Sequence, residues 1–198
     1  MDKNVDIFAE KVRADTNLQY GFDAFGLSQG NSVLRGYIER YNDPPVRNVL
    51  HIHGTVMGVA GFPNCNPSGI IAGICDTIAE LLGDLAYEEW VQESLFQSNY
   101  FRDPMRTNTT QYLTNSQIAQ WNNENPDNVN KTFVANFGKP KSFNMIKAKK
   151  DTMVFPNEGE WWGEFTQGQF KTVETMTQTG MYVSWNRSIK HNHKSIQI

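Results

Sequence analysis

Several features are scarce in this chain, and each scarcity removes a class of function. No run of apolar residues approaches the length a membrane span requires, so a membrane-spanning role is not expected. Basic residues form no stripe: Lys and Arg number 18 against 21 Asp and Glu, for a net charge of −3, which argues against a nucleic-acid partner. Hydrophobic residues at 39% and charged residues at 20% are unlike a disordered segment. The 198 residues show neither an internal repeat nor a linker, and they suffice for one domain with a sizeable core. The first residues, Met1 to Asp6, lack the hydrophobic core of a secretory signal.

Cysteine is also rare. Cys65 and Cys75 are the only two, and a disulfide between them would close a loop of roughly ten residues and add about 3 kcal/mol in the chain-entropy model. Three Asn-x-Ser/Thr sites occur, at Asn108, Asn130 and Asn186. Cysteine pair and sequons together favour an oxidising, glycosylating compartment. With no signal segment at Met1, the expectation is an incomplete N-terminus.

The strongest positive signal is Gly26-Leu27-Ser28-Gln29-Gly30. Tyr20 to Phe25 before it reads as a buried strand, and Asn31 to Tyr41 after it as a helix with Val33, Leu34, Tyr37 and Ile38 at helical spacing. Strand, tight turn and helix form the setting of a nucleophile elbow. A turn this sharp predicts that Gly26 and Gly30 are glycines because a side chain would not fit. Ser28 would stand out from the sheet edge, and the Gln29 amide at the helix start would donate to an oxyanion. The alternative is a glycine-bounded turn whose serine caps the helix.

Val5 to Ala14 reads as an amphipathic helix, and Val46 to Ile52 as a strand parallel to the first. Residues Ile70 to Trp90 and Tyr87 to Tyr100 read as helices. The Asn-, Gln- and Thr-rich residues 105 to 131 read as exposed. Met145 to Val154 reads as a returning strand. The whole is an α/β sheet with a helical insertion at about residues 55 to 140.

These segments, in order, resemble the palmitoyl-protein thioesterases, a family of α/β-hydrolases. The resemblance rests on Gly26 to Gly30 with Leu34-Arg35, on the Pro44-Pro45 break, and on Gly58-Val59-x-Gly61-Phe62-Pro63-x-Cys65 with Cys75-Asp76. It continues through Ala86-Tyr87, Val91-Gln92-Glu93, Asn99 to Pro104, Glu160-Trp161-x-Gly163 and Gly168-Gln169. It implies an α/β-hydrolase-like fold with a mostly parallel sheet, present here as a single partial domain over residues 1–198 whose N-terminal strands are missing. It also implies a lysosomal serine hydrolase that removes long-chain acyl groups from protein cysteines and needs no cofactor. S-acylated proteins or acyl thioesters would be its partners. Ser28 matches the nucleophile, Gln29 the oxyanion amide, and Cys65 and Cys75 a disulfide. Asn108 and Asn130 fall near glycosylated positions. Ile70, Ile71, Ile74, Leu81, Leu82, Trp90 and Phe96 would wall an acyl groove.

Three departures stand beside the match. Phe155 occupies the position of the triad acid, leaving Asp151 and Glu158 as substitutes. No late segment matches the family's histidine motif, leaving His193 as a substitute base. Nothing in residues 1 to 17 matches the loop that supplies a second oxyanion donor. These departures favour an alternative: a catalytically silent relative that keeps only an acyl- or protein-binding surface. The four histidines form two pairs, His51-x-His53 and His191-x-His193, with no cysteine or carboxylate beside them in sequence; they read as packed or surface residues and not as a metal site.

Overall fold

The structure, a computed structural model, describes residues 1–61 and 85–182. Its centre is a three-stranded parallel sheet in the order β1-β2-β3, formed by β1 (Phe22–Leu27), β2 (Val46–Ile52) and β3 (Ser142–Ile146). β2 is central, which suits its three buried side chains, Val46, Val49 and His51. Both parallel pairings are closed by crossovers, as parallel strands require. The first runs through α2 (Gly30–Arg40), and the second spans residues 53 to 141.

α1 (Asp2–Ala14) and α6 (Lys131–Phe137) flank α2 on one face of the sheet. Val5, Ala9 and Val12 of α1 meet Leu34, Tyr37 and Ile38 of α2. Val134 and Phe137 of α6 complete that core with Phe143 and Trp162. Alternate positions on the strands, Phe25, Leu27 and Ile146, face away from it and are exposed among the described residues.

One residue ties these layers together. Arg35 on α2 has no exposed surface. Its Nε donates to Glu39 Oε1 at 2.6 Å, one helical turn on. Its Nη1 donates to the Val56 carbonyl and, at 2.8 Å, to Asn122 Oδ1. Its guanidinium lies 4.7 Å from the Trp162 ring. A buried guanidinium is tolerable only when its donors are used and its charge answered. Here four segments supply those partners. Burial also pushes Glu39 up to about 7 despite Arg35 beside it.

The region between β2 and β3 is helical, with α3 (Glu89–Ser94), α4 (Thr110–Asn115) and α5 (Gln117–Trp121) ahead of α6. Three expectations change here. The run from Tyr87 to Tyr100 is not one helix. It breaks at Leu95, which is extended, and resumes as a 3₁₀ turn over Phe96–Tyr100. The Gln92 side chain holds the break by donating to the carbonyls of Ala86 and Ser98.

Residues 105 to 131 are not simply exposed, since Tyr112, Ile118, Ala119 and Trp121 are buried. Their polar neighbours act as caps: Thr109, Ser116 and Asn130 each accept a backbone N–H at the start of α4, α5 and α6. The strand expected over Met145 to Val154 is instead Ser142–Ile146. The chain turns because the Asp151 carboxylate accepts the N–H groups of Met153 and Val154. The expected helix over Ile70 to Trp90 lies largely outside the described residues.

A second ion cluster pins the insertion to the short antiparallel pair β4 (Glu164–Phe165) and β5 (Val173–Glu174). Arg102 donates through Nε and Nη2 to the two oxygens of Glu124, both at 3.0 Å, and its Nη2 also reaches Glu164 at 2.5 Å.

Replacing Arg35 with Met leaves Glu39 buried and unanswered. The expected cost is about 3–5 kcal/mol in urea unfolding, with part of it recovered in the Arg35→Met/Glu39→Met double variant. A single variant within 1 kcal/mol of wild type contradicts this role.

Candidate active site

β1 ends at Leu27, α2 begins at Gly30, and the turn between them sets the geometry of the site. Ser28 adopts φ 52°, in the left-handed region that non-glycine residues seldom occupy. Its side chain is exposed, and no described group hydrogen-bonds its hydroxyl. The capping alternative therefore falls: the N-cap of α2 is Gln29.

The Gln29 amide stands at the open N-terminal end of α2. First-turn N–H groups there have no partner within the helix, and the dipole favours negative charge. The Gln29 side chain turns away and donates to Tyr100 Oη at 2.6 Å. Tyr100 belongs to a small apolar cluster with Val59, Val154 and Phe96.

The strained turn is held by a residue that pattern reading takes only as the first of a helix. Asn31 is fully buried. Its Nδ2 donates to the Ser28 carbonyl at 2.9 Å and to the Ile52 carbonyl at 2.8 Å. With both amide hydrogens used, its Oδ1 must accept, and His51 Nδ1 lies 2.8 Å away. His51 is therefore the neutral Nδ1–H tautomer. Burial, with Arg35 nearby, lowers His51 to about 3.

The two elbow glycines are not equivalent. A Cβ on Gly26 would lie 2.6 Å from Asn31 Oδ1 and 2.8 Å from its Cα. A Cβ on Gly30 would meet no atom of the described residues within 4 Å. The expectation that both flanks exclude a side chain is corrected: only Gly26 is forced, by the close approach of α2.

Beside the turn, at the carboxyl end of β2, stands His53 with φ 49°. The register pairs Leu27 with Ile52, and the Ser28 N–H donates to the Ile52 carbonyl at 3.0 Å. Ser28 and His53 are thus the first residues beyond two neighbouring strand ends. His53 Nδ1 lies 3.3 Å from Glu160 Oε2. Glu160 is fully buried, accepts the Ala148 N–H at 3.0 Å and the Asn157 amide at 3.1 Å, and touches the Asp151 carboxylate. Burial, with Asp151 adjacent, pushes Glu160 up to about 7.

Donor atoms of His53, Asp151 and Glu160 all fall within 4.8 Å of one another. Both carboxylates are already answered by protein N–H groups, so the group reads as a hydrogen-bonded imidazole and carboxylate cluster and not as a cation cage. The histidine pair separates: His51 is interior and His53 half-exposed.

The other expected site residues are scattered. Glu158 lies 3.4 Å from Lys147 Nζ, in an ion pair away from His53. Asp151 joins the site beside Glu160, its carboxylate within 4.8 Å of a His53 ring nitrogen. Phe155 packs on Phe165, ring centroids 5.0 Å apart, and its carbonyl accepts the Ala60 N–H. Asn108 is exposed. Asn130 is exposed too, but its Oδ1 caps α6 by accepting the N–H groups of Thr132 and Phe133. Of the expected groove residues, Trp90 is exposed and Phe96 is half-buried. Ile70, Ile71, Ile74, Leu81, Leu82, Cys65, Cys75, Asn186, His191 and His193 lie outside the described residues. Sequence reading missed Asn31, Glu160 and His53. The available signals were an amide three residues after the serine and a Glu directly before Trp161-Trp162.

A parallel strand, a left-handed serine and a helix form the elbow of an α/β-hydrolase. Comparison with known proteins agrees. The sequence profile of the family described as "Palmitoyl protein thioesterase" matches residues 1–187. The chain belongs to the palmitoyl protein thioesterase family.

It is 32% identical over 189 residues to palmitoyl-protein thioesterase 1 of Caenorhabditis elegans, covering 95% of this chain and 61% of that protein. It is 30% identical over 183 residues to palmitoyl-protein thioesterase 3 of Dictyostelium discoideum, covering 92% and 60%. A palmitoyl-protein thioesterase-dolichyl pyrophosphate phosphatase fusion of Schizosaccharomyces pombe is 24% identical over 176 residues, 27% of its length. The chain thus spans about three-fifths of the first two relatives.

Two outcomes follow from the elbow. Gly26→Ala should cost about 1–3 kcal/mol through the clash with Asn31, while Gly30→Ala should be neutral or slightly stabilising, as read by thermal and urea unfolding. Equal effects would refute the close-approach argument.

The second outcome concerns His51. Its folded value lies below the ordinary 6.5, so the unfolded chain binds the extra proton. Its contribution is complete above pH 6.5 and lost as pH falls toward about 3. Across that window His51→Gln should show a shallower fall in the urea midpoint than wild type. Identical slopes would mean His51 is not buried neutral.

Proposed function

We propose that this chain carries the nucleophile of a serine hydrolase that cleaves long-chain fatty acyl thioesters from protein cysteines. Ser28 is the nucleophile and the Gln29 N–H an oxyanion donor; S-acylated proteins or acyl thioesters are the substrates. The observation that carries this reading is the exposed Ser28 hydroxyl at φ 52°, between a parallel strand and a helix N-terminus. A thioester needs an oxygen nucleophile and donors waiting for the tetrahedral oxyanion. Of the residues expected to wall an acyl groove, Phe96 is half-buried against Tyr100, to which the Gln29 side chain donates. The names of the relatives, palmitoyl-protein thioesterases, support the substrate class.

Finer parts of the reading follow from the family. Cys65 and Cys75 form a disulfide, Asn108 and Asn130 carry glycans with Asn186 a third candidate, and the protein works in the lysosome. The Asn130 cap uses Oδ1, so the Nδ2 that would bear a glycan is not used by it. Phe155, where an acid is expected, favours the second reading: a silent relative that binds acyl groups without turnover.

A fluorophosphonate probe separates the two. Under the hydrolase reading wild type is labelled and Ser28→Ala is not, and palmitoyl thioesters turn over at least about tenfold faster than acetyl esters. A folded wild type that stays unlabelled supports the silent reading. Faster acetyl-ester turnover contradicts the lipid-binding surface.

A further inference from the structure

Phe155 stands at the position of the family's acid, and a phenyl ring cannot orient an imidazole. We infer that His53 is the general base for Ser28 and that Glu160 is its positioning residue. This rests on Ser28 being the nucleophile.

Four observations converge. His53 and Ser28 each follow directly on residues paired across β1 and β2, and the Ser28 N–H donates to the Ile52 carbonyl next to His53. His53 presents Nδ1 to Glu160 at 3.3 Å, leaving Nε2 for another partner. That division of the two ring nitrogens is what an acid–imidazole pair needs. His53 is half-exposed just past the end of β2, and Ser28 is exposed just past the end of β1. Glu160 is locked in place by the Ala148 N–H, the Asn157 amide and the Asp151 carboxylate. A fully buried glutamate beside a second carboxylate is costly, and core packing alone does not ask for it.

The step balances without a further reactant. Ser28 Oγ bonds to the thioester carbonyl carbon while its proton passes to His53 Nε2, and Nδ1–H donates to Glu160. The tetrahedral adduct collapses, the carbon–sulfur bond breaks, and the departing sulfur takes the proton from His53. Water then attacks the acyl-serine and gives one proton to His53. His53 returns that proton to Ser28 Oγ as the fatty acid leaves.

Among the described residues, the charged groups near His53 are Glu160 and Asp151. Lys147, just past the end of β3, is engaged by Glu158 and by the Trp161 ring. Because Glu160 is pushed up to about 7, its carboxylate is available to the ring only as pH rises through that value.

The test uses the full chain and two variants, His53→Gly and Glu160→Gln. Glycine accepts the left-handed φ of 49°, so the first keeps the backbone of the turn. Thermal melts confirm folding, and fluorophosphonate labelling of Ser28 and palmitoyl-thioester turnover are read together. His53→Gly should slow both at least about 100-fold. Added imidazole should restore at least tenfold in His53→Gly and nothing in Ser28→Ala. Glu160→Gln should lower kcat with KM unchanged and remove the rising limb near pH 7.

Wild-type labelling rates in His53→Gly, or no rescue by imidazole, overturn the assignment of His53 while Ser28 stands as nucleophile. An unlabelled, folded wild type overturns both.

Discussion

The site depends on one buried amide. Asn31 donates to the carbonyls of Ser28 and Ile52 and accepts from His51, so a single side chain fastens the strained turn, the end of the neighbouring strand and the first turn of α2. A left-handed serine costs of order 1–3 kcal/mol and persists only where its surroundings fix it. Asn31 supplies that fixation, and its closeness explains why position 26 must lack a side chain. His51 completes the clamp at the expense of an unpartnered Nε2 and must stay neutral to do so.

Arg35 extends the same logic one turn further along α2. It draws Glu39, the Val56 carbonyl, Asn122 and Trp162 around a buried charge. Trp162 in turn packs against Phe137 and, edge-on, against His51. Elements that bring the chain back toward the strand ends are thus oriented by the helix that starts at the elbow. Glu160, two residues before Trp162, comes to His53 by this route. The structure therefore links the Glu-Trp-Trp segment to the Gly-x-Ser-x-Gly segment through α2, although more than a hundred residues separate them in sequence.

What could be read from sequence was whatever local periodicity and turn chemistry determine. β2 was bounded correctly, α1, α2 and β1 to within a few residues, and the parallel pairing followed from the crossover. Ser28 was recognisable because its glycines and flanking elements are contiguous. The rest was hidden for physical reasons. Asn31 and Glu160 do their work through tertiary hydrogen bonds that leave no periodic trace. The polar stretch over residues 105 to 131 reads as exposed because its Thr, Ser and Asn are caps, and capping residues dilute the apolar pattern of short helices. The strand after Ser142 ends at Ile146, where its partner β2 ends at Ile52, and the next residues bond elsewhere, Ala148 N–H to Glu160 and the turn after it to Asp151. Gly30 shows the opposite error: a motif glycine that the geometry here does not require.

The most direct test of the central claim is an experimental structure of the chain after treatment with a fluorophosphonate. The account predicts Ser28 at positive φ, Asn31 bonded to the carbonyls of Ser28 and Ile52, a phosphonyl group on Ser28 Oγ and its oxygen against the Gln29 N–H. A Ser28 at negative φ with its hydroxyl packed inward, or an adduct on another residue, would contradict it.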